Sequence, residues 1–77
     1  MNEQTRNFVY ECVMDAVEDL LEEQQFVFIL QVIEGYSFKE IAELSGESIN
    51  TLMARKRYAV MALRPSLKEV REIVTQQ

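Results

Sequence analysis

The residues able to do chemistry in this chain crowd into one stretch. Ser48, Asn50, Thr51, Arg55, Lys56 and Arg57 follow directly on Gly46, and no acidic side chain occurs from Ser48 to Arg64. Three consecutive cations on one short element suit contact with phosphate. The rest of the sequence offers no comparable group. It has no His, one Cys and no glycine-rich phosphate loop, so no nucleophile stands beside a base and no zinc site can be assembled. Cys12 and Tyr58 read as packing residues, and the scattered carboxylates lie on helix faces that must be wet. The expectation is a protein that is not an enzyme and needs no cofactor.

The elements that must carry these residues are two short helices with a glycine turn between them. Ile41, Ala42 and Leu44 give the first an apolar edge, and Gly46 can take the positive φ that reverses the chain. Ser48 can cap the second helix, which runs through Ile49 and Leu52 toward Arg55. This is a helix-turn-helix pattern, with a plain helical hairpin of a small bundle as the alternative. Charge is divided along the same line. Residues 1–47 hold 11 acidic against 2 basic side chains (−9) and residues 48–77 hold 6 basic against 2 acidic (+4), which sums to the net −5. An acidic body with one positive helix can approach a polyanion in one orientation only.

At 77 residues the chain is one domain, and its composition is that of a globular protein. The lone Cys12 fits a reducing cytoplasm, and no apolar run reaches the ~18 residues that span a membrane. The pattern predicts an all-α fold, a small bundle of four to five short helices containing the helix-turn-helix. The pairs Phe8-Val9, Cys12-Val13, Ala16-Val17 and Leu20-Leu21 draw one wide stripe along an N-terminal helix over residues 1–20. Support helices follow at 22–34 and 37–46. The first is a buried helix despite its β-prone FVFIL core, because no second strand exists to pair with it. The other opens on the capping box Ser37-Phe38-Lys39-Glu40. A recognition helix at 48–64 should stop at Pro65. A C-terminal helix at 66–75 should begin on a second capping box, Ser66 to Glu69, and Thr75 to Gln77 should fray.

LLEEQQFVFILQVIEGYSFKEIAELSGESINTLMAR, Leu20 to Arg55, resembles region 4 of the bacterial sigma-70-type factors, especially the extracytoplasmic-function group. The matching pieces are Leu20 with Glu22 to Gln24, the apolar run ending in Glu34-Gly35-Tyr36-Ser37, Phe38 to Glu43, and then Gly46, Ser48, Thr51, Leu52 and Arg55 in order. The resemblance implies two duties: the last helix enters the major groove of a promoter −35 element, and another face holds core RNA polymerase at the β-subunit flap. By position, Ser48, Asn50, Thr51, Ala54 and Arg55 would face the duplex, with Lys56 and Arg57 continuing the basic surface. Asn suits adenine, Arg suits guanine or phosphate, and helix-start amides suit a phosphate. The sigma region that binds the −10 element is not in this sequence. The chain is then expected to be either an excised C-terminal domain or a free-standing sigma-like module of a bacterial cytoplasm.

Departures from the family pattern matter as much. Met53 stands where the family has Lys, Leu21 where it has Pro, and the usually basic end of the recognition helix reads YAVMALR. If Ile49, Leu52, Ala59 and Leu63 face the core, with the Lys56 stem between them, then Met53, Val60 and Met61 fall on a face that should be wet. The expected cover is the C-terminal helix folding back through Leu67, Val70, Ile73 and Val74. A regulatory (anti-sigma) protein, or a homodimer through that apolar face, is the other cover. Two rival functions stay open: an interaction module that has lost its DNA grip, and a LuxR-type output domain.

Overall fold

A computed structural model describes residues 2–75, which are all helical apart from short connections. Helix α1 spans Glu3–Glu18, α2 Glu22–Phe28, α3 Phe38–Ser45 and α4 Ile49–Thr75. The all-α expectation holds, with four helices among the described residues.

Each start has a chemical cause. Asn2 Oδ1 accepts from the Thr5 amide at 2.7 Å and opens α1. Its last turn tightens, with the Asp19 amide on the Ala16 carbonyl and the Leu20 amide on that of Val17. The helix thus ends at Glu18 rather than Leu20, where two adjacent acids oppose the helix dipole. Glu22 and Glu23 occupy the first turn of α2, the favourable end for carboxylates. The capping box of α3 forms in full. The Glu40 amide donates to Ser37 Oγ at 3.1 Å, and the Ser37 amide donates to Glu40 Oε1 at 3.0 Å. That amide, then the Ser37 side chain, holds the Glu40 carboxyl below its ordinary pKa of 4.5. Gly46 sits at φ +76 and closes α3 through its amide on the Ala42 carbonyl.

The support segment at 22–34 departs from the sequence expectation of a uniform helix. After Phe28 it widens into a π-helical turn, Ile29–Ile33, and the Glu34 amide reaches back five residues to the Ile29 carbonyl at 2.9 Å. Gly35, at φ +82, ends it. The run FVFIL is apolar on all sides and divides between two clusters. Phe28 joins Val17, Ala59 and Leu63, whereas Val27 joins Ile41 and Leu52. These two clusters are the core, one on α1 and one under the helix-turn-helix. Fully burying a Leu or Ile is worth about 1.5–3 kcal/mol, so Leu52, Leu63 and Ile41 are the main supports.

Three expectations about the C-terminal third are overturned. Pro65 does not stop the recognition helix, which runs unbroken from Ile49 to Thr75. A helix-internal proline costs about 3 kcal/mol in lost hydrogen bond and ring clash. Here the backbone is clamped on either side, because Leu63 and Val70 are both buried where α4 meets α1. The ring itself is exposed, so the carbonyl it orphans can turn to water. Consequently no separate helix begins at Ser66, no second capping box forms, and Leu67 to Val74 cannot fold back over Met53 and Met61. Finally, Ile49 is not in the core: it is 43% exposed, and the buried set on α4 is Leu52, Ala59, Leu63 and Val70. At Thr75, where the described residues end, the hydroxyl donates to the Arg71 and Glu72 carbonyls. Met1, Gln76 and Gln77 lie outside the described residues.

Candidate nucleic-acid interface

The turn from α3 into α4 is built from three short polar contacts. The Gly46 amide closes α3, the Glu47 amide donates to Ser45 Oγ at 3.2 Å, and the Thr51 amide donates to Ser48 Oγ at 3.1 Å. Ser48 in turn donates to the Thr51 hydroxyl at 2.9 Å. The cap expected of Ser48 therefore exists, and it engages the Thr51 side chain as well.

From that cap the 3.6-residue period fixes where each candidate points. Leu52 is buried against α2 and α3 and Ala59 against α1 and α2, so Asn50, Ala54, Arg57 and Met61 lie on the opposite side of α4. Met53 and Tyr58 flank them at 50% and 53% exposure. The outward surface at the start of α4 thus combines one amide, one guanidinium, an alanine and apolar or aromatic neighbours. Arg57 lies 5.5 Å from the ring of Tyr58, a cation–π spacing.

The other two cations point elsewhere. Arg55 turns toward the start of α2 and the turn, with Nε 3.7 Å from Glu23 and Nη2 3.6 Å from Glu47, and its side chain is only 25% exposed. At these lengths each pair is worth about 0–1 kcal/mol, yet together they fix the direction of the guanidinium. Lys56 lies along α3 with Nζ 5.6 Å above the Phe38 ring. Of the seven candidates, Asn50, Ala54 and Arg57 share one face, Ser48 and Thr51 form the cap beside it, and Arg55 and Lys56 leave on either flank. Met53 lies outside the core as its position in the sequence predicted, whereas Tyr58, expected to be a packing residue, is exposed on this face. Its spacing from Asn50 and Ala54 on the wheel was the available signal.

Beside Arg55 a cleft of ≈ 520 Å³ opens between the start of α2 and the turn, lined by Leu21, Glu23, Phe26 and Glu47 among others. Its lining joins exposed Leu21 and Phe26 to the carboxylates of Glu22, Glu23 and Glu47, an acidic surface unlike the outward face of α4. Among the described residues no His, Cys, Asp and Glu group is placed to hold a metal ion.

Residues 10–63 match the family model described as sigma-70, region 4. The chain belongs to the sigma-70 region 4 family. The match takes in α3, the turn, the first 15 residues of α4 (49–63) and both core clusters, and it ends at Leu63, two residues before Pro65. No curated protein and no solved structure matches the chain. Sigma-70 region 4 is a DNA-binding regulatory domain of transcription initiation factors, not an enzyme family, and it binds promoter DNA and core RNA polymerase. Membership in it leaves the LuxR-type alternative without support. No helix among the described residues is long and apolar enough to cross a membrane.

Proposed function

We propose that this sigma-70 region 4 domain reads a −35-type promoter element with the start of α4 and grips core RNA polymerase through another face. The observation that carries the reading is the Ser48-capped, outward-facing start of α4, which holds Asn50, Ala54 and Arg57 on one side of a helix braced by α2 and α3. A helix presented this way fits the major groove, where Asn and Arg can each pair with two atoms of one base. Ser48 and Thr51 then meet the phosphate that approaches the helix start. Arg55 acts chiefly as a positioning residue held by Glu23 and Glu47, and Lys56 braces α4 on Phe38. The cleft at Leu21 and Phe26 is the surface for the β-subunit flap.

DNA grip is weak in this reading. With Met53 and the Tyr58–Ala62 stretch in place of cations, few phosphates are neutralised, so affinity falls only gently with salt. A second reading, a sigma-like interaction module with degraded DNA binding, is favoured by the half-exposed Met53 and Met61. Binding to a −35-type duplex over a salt titration, beside capture of the polymerase flap, separates the two. The first reading expects sequence-specific duplex binding in which Asn50→Ala removes about 1–3 kcal/mol of base discrimination. Flap capture with no duplex binding at low salt sinks it in favour of the second.

A further inference from the structure

Helix α4 carries a second pattern, which meets the DNA-reading face at Arg57 and the core at Val60. Met53, Val60, Leu67 and Val74 recur every seven residues along it, and Arg57, Arg64 and Arg71 recur with the same period, each four residues after an apolar one. Positions four apart are neighbours on a helix, so a row of arginines runs alongside a row of apolar side chains. The unbroken helix through Pro65 keeps both rows in register from end to end.

Most of the apolar row is open, Val60 being the member that also packs on the inner cluster. Met53 is 50% and Leu67 41% exposed, and Val60 and Val74 are half-buried. Two surface clefts lie along it, one of ≈ 320 Å³ holding Met53, Val60 and Phe38 and one of ≈ 240 Å³ holding Leu67, Val74 and Val9. Arg57 and Arg64 line the first, and Arg71 lines the second. The two acids of α4, Glu69 and Glu72, stand off this side, Glu69 opening onto a cleft shared with Asp15 and Asp19 of α1. One apolar position in seven is half of the seam of a two-helix supercoil. Of the alternate positions, Lys56, Leu63 and Val70, the last two are buried in the domain, so a partner must lie along the single row. The charges beside that row choose the partner.

We infer that this side of α4 docks an amphipathic helix of another protein, apolar at seven-residue spacing and acidic along the edge that meets Arg57, Arg64 and Arg71. The row from Met53 to Val74 rises about 32 Å, which asks for a partner helix of about 20 residues. A second copy of this chain is the poorer occupant, because laying α4 on α4 sets one arginine row against the other. A duplex is poorer too, because it would leave four apolar side chains wet between the charges. Docking needs neither promoter nor polymerase, so failure to bind a −35 duplex leaves it standing.

The test uses the 77-residue chain and a labelled synthetic helix with Leu at the seam positions and Glu along both edges, beside a twin carrying Lys for Glu. Fluorescence anisotropy should show the Glu peptide binding and the Lys twin failing to bind. The double variant Arg64→Glu/Arg71→Glu should weaken the Glu peptide by about tenfold and bind the Lys twin instead. Leu67→Asp should abolish binding of the Glu peptide while its circular dichroism stays helical. The proposal is overturned if the Glu peptide does not bind, or binds the double variant as well as the parent. It is overturned equally if the chain alone sediments as a dimer that Leu67→Asp splits, or if losing Arg64 and Arg71 weakens only duplex binding.

Discussion

Replacing Pro65 by alanine should make the domain more stable, and the size of the gain follows from how α4 is built. Pro65 lies in the middle of a 27-residue helix, where it cannot donate to the Met61 carbonyl and its ring crowds that oxygen. Relative to alanine the helical cost is about 3 kcal/mol. Proline also restricts the unfolded chain, and losing that restriction returns about 0.4–1 kcal/mol to the unfolded state. The net expectation for Pro65→Ala is a gain of about 2 kcal/mol. For a domain of this size each kcal/mol moves the melting midpoint by about 4–8 °C, so the shift should be about 8–16 °C upward. Thermal melts followed at 222 nm give the midpoint, and urea titration gives the free energy independently. An unchanged or lower midpoint would refute the reasoning, since it would mean that the chain breaks at Pro65 and that alanine forces a helix where none belongs.

The remaining expectations are simpler. Leu52→Ala empties a fully buried position joining α2, α3 and α4, and should cost about 2–5 kcal/mol, enough to unfold much of a domain this small; loss of helical signal at 25 °C checks it. Ser48→Ala removes the cap of α4 and should lower stability by about 1 kcal/mol in urea titration, while Ser48→Gly should cost less. Glu40 has its pKa lowered in the folded state, so its contribution is complete above the ordinary 4.5 and is lost as pH falls through the depressed value. Glu40→Gln should therefore lower stability above pH 4.5 and converge with the parent at acid pH, so that the acid limb flattens; urea titrations at several pH values check it.

The legible parts of the fold are those decided within a few residues. Ser37, Gly46 and Ser48 each act through a neighbour three or four positions away, and their roles could be read from spacing alone. The π turn at Ile29–Ile33 left no such mark, because a run apolar on every side does not say how it will be divided between two clusters. Pro65 misled for the opposite reason. Its local preference is strong, and only the packing of Leu63 and Val70 on α1, a partner some fifty residues earlier, outweighs it. At the candidate interface the helical period placed Asn50, Ala54 and Arg57 together. The direction of Arg55 depended on Glu23, which no local pattern connects to it.

The length of α4 has a mechanical side. At about 1.5 Å per residue its 27 residues make a rod of about 40 Å, comparable to the 44 Å long axis of the whole domain. Asn50 rides at one end and Val74 at the other, with no joint between them. A body that grips the far end therefore holds a lever. Tilting it by about 5 degrees swings the capped end through about 3 Å, which is close to a base-pair step of about 3.4 Å.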